Sequence, residues 1–237
     1  MRVRWVAVSL IAAAGCFGMP APVPESPLAP RAVDPAPLRA AAKPEDPPEP
    51  DDPLTLAAEC LGRGDQPAAA THLAAYVRAH PDQIMFRAHL AELLLKLDRD
   101  AEAKAQFERF VADAQDATGP PRGHLVHCHT RLMELGQRAD DRFAERFHRG
   151  VGLLLLVNDA ADDTREEILC QAIKALIEAK EIRPADPRVH FYLADAHDRA
   201  GNRRGAATER AAARNLAAPG ALTPSESRRL AVAGTTE

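Results

Sequence analysis

IMFRAHLAELLLKLDRDAEAKAQFERFVADAQD, residues 84–116, decides the fold. Phe86, Leu90, Leu93, Leu94 and Leu97 recur at the i, i+3/i+4, i+7 spacing of one helical face. Ala103, Phe107, Phe110 and Val111 repeat that spacing after a turn at Asp98 and Arg99. Two amphipathic helices joined by so short a turn form an antiparallel hairpin. Such a hairpin cannot bury both apolar faces alone, so it requires neighbours of its own kind.

The neighbours are present. About thirty-four residues upstream, Ala57, Gly64, Ala69, Leu73 and Pro81 hold the matching positions, with Gly64 and Asp65 as the turn. Near the C-terminus the phase returns at Leu193, Ala194, Gly201, Ala206 and Ala213. Ala172, Ala179 and Pro184 fit the second helix of one further unit. With these residues the chain resembles the tetratricopeptide repeat (TPR) family. The resemblance implies an all-α, right-handed TPR-like helical solenoid of about four helix-turn-helix repeats over residues 54–220. It implies a scaffold that binds protein or peptide, without catalysis and without a cofactor. Function is not fixed by such a fold, because one scaffold serves many partners.

Composition agrees. Of 237 residues, 46% are hydrophobic but only 4% aromatic, which suits helices packed through small residues rather than a sandwich or barrel core. The net charge of −4 is spread along the chain and does not point to nucleic acid.

Outside the repeats, residues 1–18 read as an export signal. Arg2 and Arg4 precede an apolar run of about ten residues, too short for a spanning helix. The ending Ala13-Ala14-Gly15-Cys16 resembles a bacterial lipobox, with Ala13 where the commonest form has leucine. That resemblance implies lipidation at Cys16 and membrane attachment at the cell envelope. A plain secretory signal and a retained anchor are the alternatives, and each means export. Residues 19–53 follow as a linker. Twelve of the residues from 20 to 53 are proline, a composition that cannot bury enough surface to offset its ordering entropy. A stalk is the first reading and a ligand for a proline-recognising domain the second. Residues 221–237 read as a flexible tail.

The repeat is least regular over residues 119–157. Leu125, Cys128, Leu132 and Leu135 mark one helix, Gly136 and Gln137 a turn, and Phe143, Phe147, Val151 and Leu154 a second helix over residues 141–157. Gly150 and Gly152 weaken that helix by ~1 kcal/mol each unless a close helix contact compensates. Thr164 and Glu167 fit a capping box for the next helix.

Candidate sites are few. If the TPR geometry holds, Ala88, Glu92, Leu95 and Lys96 of one repeat and Arg188, Phe191, Asp195 and Arg199 of another line a concave partner-binding groove. The lysine and asparagine with which some family members clamp a C-terminal carboxylate are replaced here by Ala88, Glu92, Phe191 and Asp195. His124, His127 and Cys128, with His129 beside them and His148 on the next helix, carry zinc-type donors, so a metal- or cofactor-binding domain is the alternative function. No CxxC or HExxH supports it. Arg138, Arg142, Arg146 and Arg149 form a stripe that reads as a solvated face or an anion site. Cys60, Cys128 and Cys170 read as buried free thiols, with disulfides open in an exported protein. The serines, Ser9, Ser26, Ser225 and Ser227, all stand outside the repeats. No GxSxG, P-loop or HExxH is present, which argues against an enzyme.

Overall fold

The computed structural model describes residues 52–116 and 122–232. The chain divides into two units between Pro47 and Pro48, and all described residues belong to the second. The segment expected to be an export signal, with Cys16, and the expected linker up to residue 51 lie outside the described residues.

Among the described residues there are ten α-helices and no strand. In chain order they are α1 (Pro53–Gly62), α2 (Gln66–Ala79), α3 (Ile84–Lys96), α4 (Asp100–Asp116), α5 (Arg122–Arg138), α6 (Arg142–Val157), α7 (Asp162–Ile182), α8 (Pro187–Arg199), α9 (Arg203–Leu216) and α10 (Pro224–Val232). The architecture is the all-α, TPR-like array of helical hairpins.

One turn recurs four times and defines the hairpins. Gly64, Asp98, Asp140 and Gly201 have φ of +78°, +56°, +53° and +72°. After each, the next amide reaches back five residues. Asp65 donates to Cys60 O at 2.8 Å, Arg99 to Leu94 O at 3.0 Å, Asp141 to Gly136 O at 2.9 Å and Asn202 to His197 O at 2.8 Å. This is a Schellman closure, which satisfies carbonyls that the helix end leaves open. Glycine enters the left-handed region freely, and aspartate tolerates it better than most residues. In three of the four turns the next side chain also caps the second helix. Asp65 accepts from Ala68 N, Asp141 from Ala144 N and Asn202 from Gly205 N.

The hairpins so marked are α1/α2, α3/α4, α5/α6 and α8/α9. Their number matches about four repeats, but the division differs from the one read in the sequence. The third hairpin lies in the irregular stretch. Helix α7, read as the second helix of a repeat, packs closely against α6, so α6 is shared between α5 and α7. Helix packing shows why the third hairpin escapes the pattern. Five residues after the left-handed position, Ala69, Ala103 and Ala206 are wholly buried and let the paired helices close. The third hairpin has Glu145 there and shifts the small residue to its partner helix, at Gly136. A Cβ on Gly136 would stand 2.8 Å from Glu145 N. Gly136 is therefore an interior contact of α5, and the turn falls at Ala139 and Asp140.

The capping box at Thr164 is also displaced. Helix α7 begins at Asp162 and its N-cap is Ala161; Thr164 lies inside the first turn and its hydroxyl donates to Ala161 O at 3.1 Å.

The apolar interior has two parts. Leu73, Leu90, Phe107, Phe110, Cys128 and Leu132 lead a core built by α1 to α5. Phe143, Phe147, Leu154, Leu176, Leu193 and Leu230 lead a second, built by α6 to α10. Between them α5 and α6 lie close, with room for only a hydrogen where Gly136 meets α6. At the same seam a buried polar pair joins the helices: His129 Nδ1 lies 3.1 Å from His148 Nδ1.

Residues 221–232 are not a flexible tail. Ala221 N donates to Ala218 O, Leu222 is buried, and α10 buries Glu226 and Leu230.

Candidate functional site: a groove in two parts

The groove residues expected from the repeat phase fall into two settings. On α3, Ala88 is buried at a helix contact and presents nothing to a ligand. Glu92 is half-buried and accepts from Arg131 Nε at 2.9 Å and from His127 Nε2 at 2.7 Å. Burial opposes its ionisation, but the hydrogen bonds and charges of Arg131 and His127 prevail and hold its carboxyl below the usual range. Leu95 packs on the first core and Lys96 is exposed. Beside them a cleft of about 400 Å³ opens between α1 and α3. Leu54, Ala58, Leu61, Phe86, His89 and Lys96 line it. Leu61 is 49% exposed there, an apolar side chain left in water at the cleft's edge.

On α8 the setting is closed. Arg188 forks onto Asp186, with contacts of 3.1 and 2.7 Å, and its guanidinium lies 5.2 Å from the Phe147 ring centre. Arg199 donates to Leu154 O at 2.9 Å and to Asp195 at 2.8 Å. Phe191 is buried, and Arg229 of α10 stands over its ring at 5.0 Å while pairing with Asp195 at 3.4 Å. This half of the groove already holds a helix of the same chain.

The polar end of α10 is anchored across the groove to α4. Thr223 Oγ1 accepts from Glu226 N at 3.2 Å, and Glu226 Oε2 accepts from Thr223 N at 2.9 Å, a reciprocal capping box. The other oxygen of Glu226 accepts from Tyr192 Oη at 2.8 Å. Gln115 of α4 donates to Tyr192 Oη at 2.8 Å and accepts from Thr223 Oγ1 at 2.9 Å. Burial, with the nearby Glu226 carboxylate, pushes the Tyr192 phenol well above its ordinary range, so it stays a donor. The repeat phase does not reveal Gln115, Tyr192, Thr223 or Glu226. The sequence does carry a signal for them, since TPSE at residues 223–226 is a capping box with proline in the first turn and Leu230 one turn on.

The remaining candidates disperse. His127 turns to Glu92, while Cys128 is fully buried in the first core, where burial, reinforced by the Glu92 charge, pushes its thiol up to about 12. No group of three or more His, Cys, Asp or Glu among the described residues is placed to hold a metal ion. His129 and His148 instead form the seam pair. Burial lowers His129 to about 4; burial, the facing His129, Arg188 and Lys104 lower His148 well below its ordinary value. Both imidazoles are neutral near pH 7.

The arginine stripe is partly consumed by ion pairs, Arg138 with Asp100 at 3.0 Å and Arg146 with Glu178 at 3.2 Å. Cys60 and Cys128 are buried free thiols as expected, but Cys170 is exposed on α7. Its neighbours Leu169 and Ala172 supply the buried face, and Cys170 falls on the other side of the helix.

No family model matches the chain, and no curated protein does. Among solved structures it is similar to MamA, at 14% identity over 68% of this chain and 94% of that one, TM-score 0.37. It is similar to TTC0263, a thermophilic TPR protein of Thermus thermophilus, at 20% identity over 77% and 97% of the chains, TM-score 0.37. YrrB, a TPR protein with an unusual peptide-binding site, is similar at 16% identity over 78% and 91%, TM-score 0.34. The fold of this chain stands on the turn and packing geometry described above.

Proposed function

We propose that this chain is a non-catalytic scaffold that binds a protein or peptide segment at the bacterial cell envelope, held to the membrane by a lipid on Cys16. The cleft between α1 and α3 carries the binding part of this reading. It is open, largely apolar, and edged by Lys96 and Glu92, the composition that takes an extended or helical segment with a few charges.

A photo-reactive residue placed at Leu61 or at His89, in cells, tests the cleft. Both positions are expected to give the same discrete adduct, and a probe at exposed Cys170 is expected to give none. Equal labelling from all three positions, or no adduct from the cleft, defeats the assignment.

The anchor has its own test. Cys16→Ala is expected to move the protein out of the membrane fraction, or to block its processing, and to abolish labelling by a palmitate analogue. A wild-type chain that takes up no lipid and fractionates as soluble would replace the lipid anchor with plain secretion.

A further inference from the structure

Helix α10 has nine residues, well short of the length at which an isolated helix holds itself together in water. It is helical because it is docked. Its seat is made by α8, α4 and α9, and the docking contacts are specific: the Glu226 carboxylate on Tyr192 and Gln115, Arg229 on Asp195 and Phe191, Arg214 of α9 on Leu230 O, and Leu230 in the second core.

The seat is also incompletely filled. A cleft of about 330 Å³ runs beside Ser225 and Arg229, walled by Leu125, Val151 and Leu154 together with Gln115, Asp195 and Arg199. A smaller one of about 130 Å³ lies beside Arg229 and Leu230, and another of about 80 Å³ beside Thr223 and Glu226. All three open to solvent, so α10 covers only part of its seat. Ser225, a small polar residue, faces the largest of the three.

We propose that the α4–α8 groove is a second binding site, that α10 is its built-in occupant, and that a partner's short amphipathic helix displaces α10 from it. The partner helix carries the features by which α10 docks: a Ser or Thr cap, a Glu three residues later, an Arg three residues after that and a Leu beside it. At the position of Ser225 it carries a large apolar side chain that fills the void. The proposal rests on the peptide-binding reading only for the class of occupant. It does not involve the α1–α3 cleft, so failure there and failure here are read separately.

The test uses the full chain and a labelled peptide of residues 221–232, ALTPSESRRLAV. In the chain, Glu226→Ala with Leu230→Asp releases α10 from its seat. Fluorescence anisotropy is expected to show the peptide binding this variant roughly tenfold or more tighter than the wild-type chain, whose seat is filled most of the time. A Ser225→Leu peptide is expected to bind tighter than the native one and to compete with α10 in the wild-type chain. A Leu230→Asp peptide is expected not to bind.

Equal affinity of the native peptide for both chains overturns the proposal. So does a variant chain that loses helical circular dichroism beyond the share of α10, because α10 would then be part of the folding unit rather than a removable occupant. A wild-type chain that forms dimers by exchanging α10 also overturns it, since the occupant would be a second copy.

Discussion

Unfolding by urea will show a stability plateau above about pH 7.5 and a fall of about 3 kcal/mol between there and pH 4. The cause is the histidine pair at the seam of the two cores. In the unfolded chain a histidine binds its proton near pH 6.5, whereas burial lowers folded His129 to about 4. Between those values the unfolded state holds more protons than the folded state, so stability drops as pH falls. Above about pH 7.5 neither state is protonated and the contribution is flat. The lowered His148 acts in the same direction and adds to the loss.

Carboxylates behave alike only at lower pH. Glu92, Asp186 and Glu209 are held below their usual range, so the stability they supply is lost as pH falls through those folded values. The interval from pH 6.5 to about 4.5 therefore isolates the histidines. Replacing both, as His129→Phe with His148→Leu, removes donor and acceptor together and leaves no buried polar atom unsatisfied. That double variant is expected to be flat over the interval. A wild-type chain already flat there, or a double variant with the same slope, would show that the pair is not buried neutral.

The two glycines of α6 are expected to respond to substitution with opposite signs. A Cβ at Gly150 would stand 2.6 Å from Leu176 Cγ, 2.9 Å from Leu176 Cδ2 and 3.3 Å from Ala172 O. Leu176 and Ala172 are fully buried, so neither can move aside without parting α6 from α7. Gly150→Ala is expected to cost ~1–3 kcal/mol through overpacking, and Gly150→Val more. At Gly152 the added Cβ would meet only His129 Cβ, at 3.5 Å, an ordinary contact. Gly152→Ala is expected to stabilise by up to ~1 kcal/mol, the helix preference for alanine over glycine. Urea midpoints of the two variants decide the matter, and a neutral Gly150→Ala would mean that α6 and α7 are not in contact there.

Periodicity made the hairpins legible where the small residue and the left-handed turn stand at the repeat's spacing, as at Gly64 with Ala69 and Gly201 with Ala206. It misplaced the third turn because Gly136 looks like punctuation in a linear reading. Only the packing of α5 on α6 shows that its missing side chain is what Glu145 requires. The groove was half legible for a related reason. Phase assigns a residue to the first helix of a repeat, but it does not say what lies over that residue. Glu92 and Lys96 edge an open cleft, while Phe191 and Asp195 are covered by Arg229, which lies in a segment read as a tail. The capping box at Thr223 and Glu226 is a local signal, and attention to it marks a helix there. Its docking on Gln115 depends on a contact 108 residues away in sequence, which no local pattern encodes.

That long tie orders events in biosynthesis. Residues emerge from the ribosome in sequence, at ~5–20 per second. The walls of the α10 seat are complete once Arg214 of α9 has appeared, and Pro224 follows ten residues further on. Until α10 follows, a nascent chain displays an empty seat with no competitor in cis. A partner helix present at synthesis would meet an open site, and one arriving later would have to compete with α10. The same groove thus favours partners that are made at the same time and place as the chain itself.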